Sequence, residues 1–210
     1  MSRVFLASRN RKKIEEMQRI LREHAPDLDV LGIDDVDHYD EPVEDQPTFE
    51  GNALLKARAG FEATGLPSLA DDSGLCVDAL NGMPGVLSAR WGGTPRNDRE
   101  RADERNNELL LQQLADVPDE RRGAHFACAV AFVHAGGEEV VEGRMPGHVI
   151  RELRGDGGFG YDVLFVADEH AAEGLTSAEL SPAEKDRISH RGRALREIAP
   201  RVAKVVGAGA

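Results

Sequence analysis

The stretch "SLADDSGL", residues 68–75, places two aspartates directly after a short apolar run, where a strand would leave the core. One interpretation is a turn, because short polar side chains hydrogen-bond the nearby backbone and glycine accepts a positive φ. Another is chemical, because Mg²⁺ is usually held by one or two carboxylates together with substrate phosphates. Taken by itself the composition favours the turn, so that "SLADDSGLCVDAL" predicts a strand, a turn and a second strand.

On both sides of this stretch, the hydrophobic pattern alternates between strands and helices. Strands are predicted for 4–7, 124–135, 138–150 and the end of 155–168. Helices are predicted for 13–24, about 48–64 and about 97–116, with a further helix start at residues 181–184 and a final helix from Ser189. Two adjacent glycines join the strands 124–135 and 138–150, which is typical of a hairpin. We therefore expect an α/β fold with a mixed sheet rather than a purely parallel one.

Composition excludes several classes of protein. The 210 residues, 40% of them hydrophobic, are enough for one large domain or two joined lobes. A net charge of −12 argues against a nucleic-acid partner, since such a surface repels polynucleotide phosphates. The N-terminus does not resemble a signal peptide, and no apolar run approaches the ~20 residues that span a bilayer, so we expect a cytoplasmic protein without a membrane partner. Cys76 and Cys128 lie in apolar runs and are expected to be free thiols in the core.

Two charged segments could serve a phosphate chain. "SRNRKK", residues 8–13, lies where a strand meets a helix, and free N–H groups and the helix dipole there attract anions. It could equally be a solvated first turn, and it is not a P-loop. "DEPVED", residues 40–45, is usually just a solvated loop, and it gains interest only if a carboxylate folds beside Asp71 and Asp72.

Two further segments could serve a base. In "GGFGYD", residues 157–162, glycines allow close backbone approach, and Phe159 or Tyr161 could stack on a nucleobase. The alternative is a bend with both rings in the core. "EKDRISHRGR", residues 184–193, combines Lys185, His190 and Arg191, which are either hydrogen-bond donors for oxygen acceptors or part of a solvated face.

Taken in order, six motifs resemble the inosine triphosphate pyrophosphatase family: "LASRNRKK", "TFEGNALLKARA", "LADDSGL", "PGVLSARWGG", "GGFGYDVLF" and "AEKDRISHRGRAL". The resemblance implies a mixed, twisted sheet flanked by helices, in a single two-lobed domain with a nucleotide cleft between the lobes. It also implies Mg²⁺-dependent hydrolysis of non-standard purine nucleoside triphosphates (dITP, ITP, XTP) to the monophosphate and pyrophosphate, and a homodimer.

The same resemblance implies residue roles. Asp71 and Asp72 resemble the family's metal and catalytic carboxylates. Asp72 corresponds to the proton acceptor and a Mg²⁺ ligand, and Glu44, or alternatively Asp71, to a second metal ligand. The implied substrate-binding residues are the phosphate loop Ser8, Arg9, Asn10, Arg11, Lys12 and Lys13, then Ser73, then the base-binding segment Phe159, Gly160, Tyr161 and Asp162, and finally Lys185, His190 and Arg191, which would contact the base and its 6-oxo group.

The chain departs from the family pattern at three positions. Arg9 stands where glycine is common, Gly51 where glutamate is common, and Val163 where proline is common. The first could reshape the phosphate loop, and the second argues against a metal role at that position. Two other functions remain open: a phosphate-monoester hydrolase that uses the aspartate pair, and a non-catalytic purine nucleotide sensor.

Overall fold

The computed structural model describes residues 3–93 and 99–208. Within this part, six strands form one sheet in the order β2-β1-β3-β4-β5-β6. They are β1 Arg3–Leu6, β2 Asp29–Leu31, β3 Ser68–Val77, β4 Gly123–His134, β5 Gly137–Val149 and β6 Phe165–Ala167. Strand β1 pairs in parallel with β2 and β3, whereas β5 and β6 are antiparallel. The predicted α/β fold with a mixed sheet is confirmed.

The helices begin and end close to the predicted positions. They are α1 Arg11–His24, α2 Phe49–Thr64, α3 Arg99–Gln113, α4 Pro182–Ile188 and α5 His190–Ala208. Thr48 caps α2, since its hydroxyl accepts a hydrogen bond from Gly51 N. Ser181 and Glu184 form a reciprocal capping box at the start of α4. The predicted start of the third helix, Asn97, lies outside the described residues.

The predicted turn at Asp71–Gly74 is wrong. Strand β3 runs without interruption through both aspartates and Ser73 to Val77. A turn would have let the aspartates bond their own backbone, but here side chains from other elements donate to one oxygen, Oδ2, of each carboxylate. The polar stretch can therefore stay extended inside the protein.

The chain divides into two compact units. Unit 1 comprises the described residues up to Asp72, Cys128–Gly143 and those from His190 on, and unit 2 comprises Ser73–Ala127 and Arg144–Ser189 as far as they are described. Each unit has its own hydrophobic core.

Unit 1 packs helices on both faces of its strands. Successive strand residues point to opposite faces, so Val4 and Leu6 join a core with α1 and α5, while Phe5 joins a second core with α2. Alanines line much of the second core, and Gly60 of α2 lies so close to the Phe5 ring that an added Cβ would be 2.8 Å from it. The pleat of the strands thus decides which helix each side chain meets.

Unit 2 has a single core cluster. It contains Leu110 of α3, Leu114 directly after that helix, Phe165 of β6 and Ile188 of α4. Phe126 and Phe165 pack edge to face at 4.8 Å. Of the two free cysteines, Cys128 is buried as expected, whereas Cys76 is half-buried. In the described part of the chain, no helix has the length and apolarity that a membrane span requires.

Candidate active site

The two aspartates of β3 face opposite sides of the strand. Asp71 contacts residues of α1 and α5, whereas Asp72 contacts Asn52 of α2. This follows from the pleat, in which adjacent side chains alternate between faces. Asp71 and Asp72 therefore belong to two different clusters, both within unit 1, and do not form a joint pair.

Asp71 lies at the centre of the first cluster. Its Oδ2 accepts hydrogen bonds from Lys13 Nζ at 3.0 Å and from Arg191 Nε at 3.1 Å. Arg191 Nη1 donates in turn to Glu16 Oε2 at 2.5 Å. Lys13 and Glu16 are one helical turn apart on α1, so their side chains share a face. Four charges of alternating sign thus form one chain across α1, β3 and α5, which we call the buried ion chain.

The buried ion chain keeps its members ionised. Burial acts to raise the pKa of Asp71, but Lys13 and Arg191 outweigh it and hold that pKa well below its ordinary value. Burial likewise acts to lower the pKa of Arg191, and Asp71 and Glu16 raise it above the usual value. The thiol of Cys128, 3.8 Å from Asp71 Oδ2, has a raised pKa, because of burial first and of Asp71 second. Cys128 is therefore an inert neighbour of the chain.

Asp72 lies in the second cluster, with α2. Its Oδ2 accepts from Asn52 Nδ2 at 2.9 Å, and Asn52 Oδ1 accepts from Gln46 N at 3.0 Å. Lys56, one turn further along α2, pairs with Glu44 at 2.8 Å. The loop that carries Glu44 and Gln46 is thus fastened to α2 next to Asp72.

The charges of this cluster act on one another. Burial raises the pKa of Asp72, and Glu44 adds to the rise, while Lys56, Lys13 and the Asn52 hydrogen bond oppose it. Burial lowers the pKa of Lys56, but Glu44, Asp72 and Asp71 outweigh it, so the net change is upward. The negative charges of Asp72 and Glu44 therefore repel each other, and a nearby positive charge stabilises both.

This donor set fits a hard divalent cation. Asp72 and Glu44 offer carboxylate oxygens, which Mg²⁺ prefers, and the raised pKa of Asp72 is what a nearby cation would reverse. Among the described residues, no group of three or more histidine, cysteine, aspartate or glutamate side chains is arranged to hold a metal. A metal at Asp72 and Glu44 would thus depend on further oxygens, such as those of a phosphate chain.

The predicted phosphate loop precedes α1. Ser8 Oγ accepts from Asn10 N at 3.2 Å, and Asn10 is the N-cap residue, although its side chain makes no capping hydrogen bond. The first turn of α1 contains no acidic residue, so no carboxylate of that turn competes with an anion for its N–H groups. Arg9 pairs with Glu41 at the surface. The side chains of Arg11 and Lys12 lie outside the described part of the chain.

Unit 2 brings together Phe159, Asp162 and Lys185. Asp162 Oδ2 accepts from Phe159 N at 2.8 Å and from Lys185 Nζ at 2.5 Å. The Lys185 ammonium also lies 4.8 Å from the centre of the Phe159 ring. Such cation–π contacts are attractive, so Lys185 and Asp162 fix both the ring and its backbone. Gly158 permits this closure, since its φ is +68° and an added Cβ would be 2.2 Å from Asp162 Oδ2.

The other predicted site residues lie outside these clusters, in environments that differ from one another. Tyr161 is a core residue, 4% exposed, whose hydroxyl donates to Ser88 O at 3.1 Å, so for this ring the core alternative holds. Ser73 is half-buried on β3. His190 is buried as the first residue of α5. Its carbonyl lies so close to Gly143 that an added Cβ there would be 2.0 Å away.

Sequence reasoning missed five residues that hold these clusters together: Glu16, Asn52, Lys56, Asp103 and Asn107. Asp103 Oδ2 accepts from Gly160 N at 2.8 Å, and Asn107 Nδ2 donates to Gly160 O at 3.0 Å. Helical spacing was the available signal. Asn52 and Lys56, Asp103 and Asn107, and Lys13 and Glu16 are each one turn apart on one helix face.

Comparison with known proteins agrees with this architecture. Residues 4–201 match the Ham1 family. A dITP/XTP pyrophosphatase of Nocardia farcinica is 57% identical over 205 residues, which are 97% of this chain and 96% of that protein. The crystal structure of a nucleoside-triphosphatase / dITP/XTP pyrophosphatase from Mycobacterium abscessus is 50% identical, covers 94% of this chain and 99% of its own, and has a TM-score of 0.73. A HAM1 protein from Coxiella burnetii, 36% identical, has a TM-score of 0.82 over 97% of this chain and 100% of its own.

Such identities over nearly the full length establish membership. The chain belongs to the Ham1 family, and the resemblance inferred from the six motifs is confirmed.

Proposed function

We propose that the protein hydrolyses non-standard purine nucleoside triphosphates, of the dITP and XTP type, to the monophosphate and pyrophosphate. The observation that carries the proposal is the near full-length similarity to proteins named dITP/XTP pyrophosphatase. Two features support the proposal, each within its own unit. In unit 1, Lys13 and the carboxylates of Asp72 and Glu44 are groups suited to a phosphate chain and a cation. In unit 2, Phe159, Asp162 and Lys185, which we call the Phe159 cluster, hold an aromatic ring beside an ammonium.

The triphosphate is bound by the phosphate loop and Lys13. Free N–H groups at the N-terminus of α1 and the Lys13 ammonium attract phosphate oxygens. The predicted roles of Ser8, Asn10 and the arginines of this loop belong to the same proposal. Lys13 and the N–H groups would stabilise the negative charge of the departing pyrophosphate.

Asp72 and Glu44 would hold Mg²⁺, and the remaining oxygen ligands would have to come from the substrate or from water. When bound, the ion supplies positive charge that neutralises the phosphate oxygens and lowers the barrier to attack. Asn52 keeps the Asp72 carboxylate in place through the 2.9 Å hydrogen bond. Lys56 does the same for Glu44.

Asp72 orients the attacking water and accepts its proton. The water oxygen attacks the α-phosphorus, the bond from that phosphorus to the bridging oxygen breaks, and pyrophosphate leaves. Because a bound Mg²⁺ would hold the pKa of the Asp72 carboxyl low, orienting the water is the main part of this role and accepting its proton is the lesser part. Ser73, the next residue along β3, is proposed to contact the substrate.

The base binds at the Phe159 cluster. Its ring stacks on Phe159, while Lys185 and His190 are the proposed donors to the 6-oxo group. Arg191, which was predicted for the same contact, donates instead to Asp71 and Glu16 in the buried ion chain. Adenine presents an amino group at that position and would leave donors unpaired, a mismatch that can reach ~10⁴-fold in discrimination. We further propose that the protein is a cytoplasmic homodimer, which light scattering of the purified protein would test as a mass twice that of the chain.

Turnover of dITP, XTP, ATP and GTP with Mg²⁺ tests the proposed function. Pyrophosphate and orthophosphate are resolved as products, and Asp72→Asn is compared with the exposed control Asp37→Asn. We expect pyrophosphate from dITP and XTP, a loss of at least ~10³-fold in Asp72→Asn, and unchanged turnover in the control. Orthophosphate as product would favour the monoester hydrolase, and tight binding without turnover would favour the sensor.

A further inference from the structure

A lysine could bind a phosphate without any buried partner, yet Lys13 is connected to three further charged side chains in the buried ion chain. Its exposure changes along its length. The side chains of Arg191 and Asp71 are each 1% exposed and that of Glu16 is 6% exposed, whereas that of Lys13 is 16% exposed. Lys13 is therefore the member of the chain that reaches furthest towards solvent.

We infer that Asp71 is a positioning residue, which with Arg191 and Glu16 holds the Lys13 ammonium in the place where it binds the leaving pyrophosphate. The inference deepens the proposed function and rests on it. In this view Asp71 is neither the proton acceptor nor a metal ligand, and it acts on the substrate through Lys13.

The contacts of Asp71 support this assignment. A single oxygen, Oδ2, takes both Lys13 Nζ and Arg191 Nε, while Oδ1 is buried and accepts no hydrogen bond from the described residues. Arg191 cannot rotate away to satisfy Asp71 differently, because Glu16 holds its Nη1. Arg191 thus restrains the Asp71 carboxylate, and Lys13 donates to an acceptor whose position is set.

Stability alone does not explain such an arrangement. Removing several ions from water costs about as much as their attraction returns, and apolar residues of similar size often serve as well or better. A lysine side chain, in contrast, has four rotatable bonds and loses much conformational freedom when it is fixed. Holding it before the substrate arrives reduces the entropy cost of binding and of reaction.

Both ends of the buried ion chain, Lys13 and Glu16, lie on helix α1. Lys13 and Glu16 are on one face of that helix, and Asp71 and Arg191 join them through β3 and α5. The N-terminus of α1 and the Lys13 ammonium are therefore set by the same three elements. The N–H groups of α1 and the Lys13 ammonium, which would bind the phosphates, therefore have a fixed position relative to each other.

The test is a double-mutant cycle on the binding of inorganic pyrophosphate, measured by calorimetry without added metal. Lys13→Met, Asp71→Asn and the double variant are compared with wild type. We expect each single variant to bind ~10-fold more weakly, the loss of about one charge-assisted hydrogen bond. The double variant is expected to bind no more weakly than Lys13→Met, because Asp71 acts through Lys13.

Glu16→Gln supplies a variant that leaves the Lys13–Asp71 pair in place. We expect a ~2- to 5-fold weaker affinity in the wild-type background and no effect in the Lys13→Met background. The matched control is Glu23→Gln, the same change at an exposed position of α1, with unchanged affinity. If Asp71→Asn does not fold, the comparison of Glu16→Gln in the wild-type and Lys13→Met backgrounds tests the inference by itself.

Two results would overturn the inference. One is unchanged pyrophosphate affinity in both Asp71→Asn and Glu16→Gln, and the other is an equal loss with and without Lys13. Failure of the proposed function would give other results than failure of the inference. In that case wild type would not hydrolyse dITP, or Lys13→Met would leave the pyrophosphate affinity unchanged.

Discussion

At the scale of single residues, Arg122 shows how unit 2 uses a buried charge for structure. Its guanidinium donates from Nε to Val149 O at 2.8 Å, from Nη1 to Leu114 O at 2.6 Å and from Nη2 to Ile150 O at 2.9 Å. The residue is 2% exposed, and burial lowers the pKa of the guanidinium. Three carbonyls at the ends of α3 and β5 thus depend on one side chain.

Replacing Arg122 with lysine is expected to lower the free energy of unfolding by about 3 kcal/mol, since a single ammonium cannot reach all three carbonyls and unpaired buried groups cost about 1–3 kcal/mol each. Urea unfolding measures the change. Arg121→Lys, the same substitution at the exposed neighbouring position, is the control and should stay within ~0.5 kcal/mol of wild type. Equal stability of the two variants would show that Arg122 is dispensable.

At the scale of elements, helix α3 fixes the glycine-rich segment 157–162. Gly160 donates to Asp103 and accepts from Asn107, one helical turn apart on α3. The same segment is closed on itself by Asp162, which accepts from Phe159 N and from Lys185. The orientation of the Phe159 ring therefore depends on α3 and α4 as well as on its own loop.

Asn107→Ala is expected to raise KM for dITP by ~5-fold and to change kcat by less than ~2-fold, because the segment loses a hydrogen bond of about 1 kcal/mol that orders the proposed base site. Steady-state kinetics measures both constants. The control is Glu108→Ala, an exposed position on the same helix. A fall in kcat with unchanged KM would contradict a role in base binding and would indicate an effect on the chemical step.

At the scale of the whole molecule, charge is unbalanced. Aspartate and glutamate number 38 against 26 lysine and arginine residues, for a net charge of −12. Such an excess disfavours the compact state through self-repulsion. The buried ion chain escapes screening by salt, but exposed pairs such as Arg58 with Glu138, 2.6 Å apart, do not.

Raising NaCl from 10 to 150 mM shortens the Debye length from ~30 to ~8 Å and is expected to raise Tm by about 2–4 °C, since repulsion among exposed carboxylates outweighs their individual ion pairs. Differential scanning calorimetry at pH 7 measures the shift. Sucrose of equal osmolality serves as the uncharged control for a general solute effect. A lower Tm in salt would mean that surface ion pairs contribute more than the net repulsion.

The predicted elements were close to those observed wherever the deciding interactions are local. The apolar stripe of α5, Ala194, Leu195, Ile198 and Val202, is fully buried as its spacing predicts. The caps at Thr48 and Ser181 were also predictable, because a cap bonds residues three positions away. The candidate residues Lys13, Asp71 and Arg191 were found by motif, as were Phe159, Asp162 and Lys185.

What the sequence by itself determined is therefore the order and kind of most elements and the membership of the family, since periodicity, caps and motifs depend on neighbouring residues. The short strand β2 was not predicted, and β3 was predicted as two strands with a turn. What only the tertiary structure decided is the fate of Asp71 and Asp72. Their partners are 58, 120 and 20 residues away along the chain. A strand rather than a turn became possible because those distant side chains donate to Oδ2 of each carboxylate, and the pleat places the two aspartates on opposite faces of the strand with different partners.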